Sequence, residues 1–180
     1  QPRARPRQNH ALALMQAVLV NPVTVSVDAG KWHYYSTGIF AGCDTQNPII
    51  NHAVVLNGFG KERSLSYWLV RNSWGPTWGE SGYIRIWRAK HPSQEPCGLD
   101  TNPLDGYACK SNAPESITVC GMCGILSDSA YPLGAFLGAP KDPEDPALGK
   151  KAGLISQHVF QGGLPEGADG AAFIQLRREL

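Results

Sequence analysis

His52 and Asn72 are the two side chains whose types and spacing could do chemistry together. They sit in Asn51-His52-Ala53-Val54 and Arg71-Asn72-Ser73-Trp74-Gly75, twenty residues apart (72 − 52), with an apolar run on each side of the charged turn Lys61-Glu62-Arg63-Ser64. Two neighbouring antiparallel strands joined by such a turn bring side chains together at one end of a sheet. A carboxamide oxygen can accept an imidazole N–H, which holds the ring's orientation and fixes its tautomer without removing the proton. The other ring nitrogen is then left to accept and return a proton, the work of a general base and acid.

The elements that must position this pair can be read from patterning. Ala11 to Val20 reads as a short amphipathic or buried helix, stopped at Asn21-Pro22 because a proline biases the preceding residue out of the helical region. Val23 to Val27 alternates with β-branched residues and reads as a strand. An aromatic- and glycine-containing loop, Lys31 to Pro48, leads to strands over Ile49–Phe59, Tyr67–Arg71 and Gly82–Arg88. The last of these alternates apolar and basic residues, as expected of one buried and one wet face. The predicted class is α+β: an antiparallel β-sheet or barrel with one N-terminal helix on its periphery. Residues 1–10 read as a disordered or linker segment. From His91 to Cys120 the only strand-like piece is Ile117-Thr118-Val119. Residues 133–180, rich in Gly, Pro, Ala and charge, read as a largely disordered tail with a short helix possible over Ala171–Leu180.

The 180 residues carry 42% hydrophobic and 17% charged side chains and a formal net charge of +1. That balance suits a globular core and argues against a general nucleic-acid or membrane-surface role. The basic start QPRARPRQNH followed by ALALMQAVLV imitates a signal peptide, but no small-x-small cleavage site follows, and the run is too short to cross a bilayer. The cysteines are Cys43, Cys97, Cys109, Cys120 and Cys123. Zinc would want a second Cys-x-x-Cys pair or neighbouring histidines, and only His91 is close. A disulfide framework formed in an oxidising compartment is favoured, and the odd count leaves one thiol free or paired outside the chain. No metal or organic cofactor is called for.

Five segments, in order, resemble the papain-like cysteine proteases: NPVTVSVDAG, YYSTGIFAGC, NHAVVLNGFG, YWLVRNSWGPTWGESGYIRIWR and CGILSDSAYP. The N-S-W-G-x-x-W-G-E-x-G-Y run is the most specific of them. The resemblance runs from Ala11 to Pro132, broken by a Cys-rich insertion at about residues 89–122, so that residues 11–132 read as the C-terminal, β-rich domain of that fold. It implies peptide-bond hydrolysis by a thiol protease through a thioester acyl-enzyme, with His52 as general base and acid and Asn72 as its orienter. A lone histidine in a strand is ordinarily a core or surface residue; the motifs flanking His52 argue against that here.

The same resemblance implies that Trp74 covers the His–Asn hydrogen bond, with Ser73 beside it, and leaves Trp78 to the core. It places Ser26, Ile50 and Ala53 around the pocket for the substrate residue two before the cleaved bond, roomy and mostly apolar. It pairs Cys43 with Cys123, leaving Cys97, Cys109 and Cys120 in the insertion with room for one more bridge. The family's nucleophilic cysteine opens a helix about 130 residues before its histidine. Only 51 residues precede His52 here, and the one cysteine among them, Cys43, lies in a glycine-rich loop without a helix N-terminus to lower its pKa. The expectation is a chain that supplies His52 and Asn72 while an N-terminal protease domain supplies the thiol. The alternative is a non-catalytic peptide- or protein-binding module on the same fold. The expected partners are a peptide or protein substrate and that missing domain, with no nucleic acid and no membrane, in a lysosome-like vacuole or outside the cell.

Overall fold

The computed structural model describes residues 3–104 and 114–132. In chain order the elements are β1 (Arg3–Ala4), α1 (Ala11–Val20), β2 (Val23–Val27), β3 (Ile39–Phe40), β4 (His52–Glu62), β5 (Leu65–Arg71), β6 (Tyr83–Arg88), β7 (Cys97–Asp100), β8 (Ile117–Cys120) and β9 (Ser129–Pro132). The expected tail (133–180), the helix at its end and Cys109 lie outside the described residues.

Helix α1 starts where His10 caps it: the ring Nδ1 accepts the Ala13 N–H at 3.2 Å. It stops at Asn21, which is extended (φ −143°, ψ 154°) ahead of Pro22. Its buried stripe, Ala11, Leu14, Ala17 and Val18, recurs at helical spacing and packs on β4. Burying Leu14 and Val18 contributes roughly 2 kcal/mol each.

Seven strands form one sheet in the order β1-β9-β2-β4-β5-β6-β3, and β7 and β8 form a separate hairpin. Every pairing is antiparallel except β3 with β6, which is parallel. The sheet is α+β in class but does not close. Its outermost strands, β1 and β3, pair inward with β9 and β6 and not with each other, so the barrel alternative is corrected to an open sheet. The core lies between this sheet, α1 and the turn at Met122–Gly124, with Trp32, Trp68, Leu56, Ile84, Ile86 and Ile125 fully enclosed.

Three expectations shift at their edges. Residues 3–10 belong to the fold and are no linker: Arg3 and Ala4 pair with Pro132 and Tyr131. Asn9 is tied by its N–H to the Leu126 carbonyl (2.7 Å) and by its carboxamide to Thr118 and Cys120. The segment has no apolar alternation because these long-range bonds, not burial of a face, hold it. Strand β4 begins at His52 instead of Ile49, since Ile49 and Ile50 donate their N–H groups to side-chain carboxylates. Within the segment read as an insertion, Cys97–Asp100 is a strand that composition concealed; it pairs with β8 and is closed by a Cys97–Cys120 disulfide.

One surface cluster clamps the loop before β3. The Glu80 carboxylate accepts from Arg85 (2.8 Å to each of two guanidinium nitrogens), from the Gly38 N–H (2.8 Å) and from the Thr37 hydroxyl (2.9 Å). The Arg85 hydrogen bonds are the main cause of a Glu80 pKa lowered to about 2. A carboxyl group lowered on folding stabilises the native state above its ordinary pKa of about 4.5 and loses that contribution as pH falls toward 2. Urea unfolding should therefore show a loss of about 2 kcal/mol between these limits, part of the shift being screened by solvent. Glu80→Gln should flatten that stretch of the profile; an unchanged slope in the variant would refute the assignment.

Candidate active site

Strand parity brings the two polar side chains together. On β4, His52 shares a face with buried Val54 and Leu56; on β5, Asn72 continues the face of buried Trp68 and Val70. Val55 pairs with Arg71, so His52 and Asn72 extend adjacent strands just where the pairing stops, as diagonal neighbours on one face. The Asn72 N–H goes instead to the Gly82 carbonyl (2.9 Å), which anchors the end of β5 to the start of β6.

His52 Nε2 lies 2.9 Å from Asn72 Oδ1. The same oxygen accepts the Ser73 backbone N–H at 2.8 Å. That second bond decides the chemistry: it requires the carboxamide oxygen, not the NH2 group, at this position, so His52 Nε2 is the donor. In the neutral ring Nδ1 then carries the lone pair. Asn72 is 7% exposed, so the bond operates away from bulk water, where the lower local dielectric strengthens it. Ser73 serves through its backbone, and its own side chain is exposed.

Two rings touch His52, and two more pack behind them. Trp74 lies 5.5 Å from the His52 ring, tilted by 31°, and Trp32 meets His52 edge-on at 6.1 Å. Trp78 stacks on Trp32 (6.2 Å) and abuts Trp74 (5.2 Å), while His33 stacks on Trp74 at 5.0 Å. Trp74 was expected at His52. Trp32, fully buried, was not: it lies in a loop with no periodicity to assign it a face, and its only signal was the aromatic density of residues 31–40. Trp78 packs partly buried against the core and also belongs to this cluster.

The three pocket residues are less alike than their types suggested. Ser26 and Ala53 are opposed across β2 and β4 and so share a face, but Ser26 is 5% exposed and donates its hydroxyl to Asp128 Oδ2 (3.1 Å), whereas Ala53 is exposed. Ile50 is 2% exposed. Asp128, which lies within CGILSDSAYP but was given no role there, therefore sets a carboxylate beside Ser26.

Cys43 and Cys123 are joined, as are Cys97 and Cys120. The Cys120-x-x-Cys123 spacing is thus divided between two disulfides. All four cysteines among the described residues are oxidised, so none of them offers His52 a thiol.

A family model described as papain family cysteine protease matches residues 3–107. The chain belongs to the papain family. A germination-specific cysteine protease of Arabidopsis thaliana is 46% identical over 124 residues, covering 67% of this chain and 26% of that protein. A KDEL-tailed cysteine endopeptidase of the same plant is 45% identical over 95 residues, covering 51% of this chain and 26% of that protein. The solved bromelain protease of Ananas comosus superposes with a TM-score of 0.52 at 34% identity, covering 72% of this chain and 48% of that one. This papain-family chain spans about a quarter of the length of the curated relatives it matches. The His52–Asn72 pair is the arrangement expected of papain-family catalysis.

Proposed function

We propose that this chain is the C-terminal, β-rich part of a papain-like cysteine endopeptidase and supplies the imidazole and carboxamide for peptide-bond hydrolysis. The observation that carries the reading is the 2.9 Å His52 Nε2–Asn72 Oδ1 contact, with the amide oriented by Ser73. Facing a cysteine carried on an N-terminal domain, Nδ1 takes the thiol proton, leaving a thiolate and an imidazolium. The thiolate attacks the scissile carbonyl, and the imidazolium returns the proton to the departing amine. Water, deprotonated by His52, then releases the acid from the thioester. Asn72 keeps the ring aimed through both half-reactions and stays neutral, so it does not compete for the proton.

Ser26, Ile50 and Ala53 are proposed to border the pocket for the residue two before the cleaved bond, and to favour a medium apolar side chain there. Two disulfides support an oxidising compartment, a lysosome-like vacuole or the exterior. A second reading, a peptide- or protein-binding module without catalysis, is favoured by one observation: every described cysteine is paired.

The two readings part in a simple assay. The purified chain alone should not turn over a dipeptide fluorophore. The coding sequence upstream of Gln1 should contain a cysteine-bearing helix motif, and the protein that includes it should cleave apolar-X substrates. Alkylator-sensitive turnover by the chain alone, or an upstream start codon with no such motif, would overturn the proposal. A strict requirement for an acidic residue would overturn the pocket.

A further inference from the structure

The backbone just before His52 is held in an unusual way. Ile49, Ile50 and Asn51 lie outside the sheet ladder, yet each N–H has an acceptor: Asp28 Oδ2 at 3.3 Å, Asp100 Oδ2 at 3.2 Å and the Val27 carbonyl at 3.1 Å. Asp100 comes from β7, inside the Cys-rich segment at residues 89–122. It is 1% exposed, and a carboxylate so enclosed is costly unless hydrogen bonds hold it. Its other oxygen accepts the Asn102 N–H at 3.0 Å, which fixes the carboxylate's direction toward Ile50.

The hairpin that carries Asp100 is itself docked. The Leu99 N–H donates to the Gln46 carbonyl at 3.0 Å. A Cβ on Gly98 would collide with the carbonyls of Thr45 and Gln46, so only glycine lets β7 approach that loop. The Cys97–Cys120 bridge closes the hairpin, and the Cys120 N–H bonds to Asn9. Thus β7 grips the loop leading to β4 at two points, residues 46 and 50, and the second is two residues before His52.

We propose that the Cys-rich hairpin is a brace for the active-site strand, and that Asp100 is a positioning residue that sets the approach of His52 to Asn72 through the Ile50 N–H. Losing the Asp100–Ile50 bond loosens the backbone at Ile50, between the tethers of Ile49 to Asp28 and of Asn51 to Val27, and the His52 ring shifts with the backbone that carries it. The inference rests on His52 being the working base only for its consequence. Its test uses no substrate, so failure here leaves the catalytic reading standing, and absence of a nucleophile leaves the brace standing.

NMR of the full chain reads both ends of the link. In the unaltered chain the Ile50 amide should exchange at least ~100-fold more slowly than exposed loop amides. Asp100→Ala should remove at least ~10-fold of that protection, and the His52 Nε2–H signal should broaden and exchange faster. Gly98→Ala, which lifts β7 without touching the carboxylate, should act in the same direction. Asp100→Asn, whose single carboxamide oxygen can accept from Ile50 or from Asn102 but not from both, should lose an intermediate share of the protection and disturb the His52 signal less than Asp100→Ala. Folded Asp100→Ala or Gly98→Ala chains with an unchanged His52 signal and titration would overturn the proposal, leaving Asp100 a purely stabilising group. Should both variants fail to fold, the unaltered chain decides: an Ile50 amide exchanging as fast as an exposed loop amide overturns it, and a protected one supports it.

Discussion

If the proposed nucleophile domain completes the protein, His52→Ala should lower kcat/KM for peptide hydrolysis by at least ~10³-fold, because the thiol loses its base and the leaving amine its acid. Asn72→Ala should have a smaller and more specific effect, a fall of roughly 10- to 100-fold in kcat with KM nearly unchanged. Asn72 reaches the substrate only through the ring: its oxygen accepts from Nε2, and without it the imidazole is free to rotate or to carry its proton on Nδ1, the wrong nitrogen for a thiol. Asn72→Asp is the sharper probe. A carboxylate still accepts from the ring and from Ser73, but its charge stabilises the imidazolium and should displace the basic limb of the pH–rate profile upward. Steady-state kinetics on the three variants would separate these roles. An Asn72→Ala enzyme with full kcat would show that the 2.9 Å bond does not govern the tautomer, and with it the proposed division of labour would fail.

Removing the Cys43–Cys123 disulfide, by serine at both positions, should cost about 4 kcal/mol of stability and lower the melting temperature by roughly 15 °C. The bridge spans 80 residues, so it restricts a large part of the unfolded chain, from the loop before β4 to the turn before β9. In the folded state it joins that loop to Met122–Gly124, where Cys123 adopts a left-handed conformation (φ 59°) and is fully buried. The Cys97–Cys120 bridge encloses only 23 residues, and its loss should cost about 1 kcal/mol less on entropy alone. Thermal and urea unfolding of the two double variants tests the ranking. Equal losses, or a loss under 1 kcal/mol for Cys43–Cys123, would mean that native-state packing around the sulfurs outweighs chain entropy.

The two disulfides differ in how far residue patterns could reveal them. Cys43 and Cys123 sit inside YYSTGIFAGC and CGILSDSAYP, segments similar enough to a known family to imply their pairing. Cys97 and Cys120 lie in the expected insertion, where the resemblance implied no pairing, and three unassigned cysteines admit more than one; the register that sets Cys97 opposite Cys120 is what chose between them. Helix α1 and strand β2 were legible to the residue, because an apolar run, a following proline and side-chain alternation act over a few positions. The start of β4 was misplaced by three residues, because Ile49 and Ile50 have the composition of a strand but give their N–H groups to Asp28 and Asp100.

What the residues alone determined about this protein is the pair His52 and Asn72, the strands that carry them and the family they imply. Each follows from local motif and from parity along a strand, which a linear pattern records. Only the tertiary structure decided that Trp32 would press against His52, that residues 3–4 would pair with β9, that Asp128 would face Ser26 and that Asp100 would hold Ile50. Those contacts join positions 20 to 129 residues apart, through loops without periodicity, and the hydrogen bond or ring contact that selects each partner exists only once both segments have been brought together by the sheet.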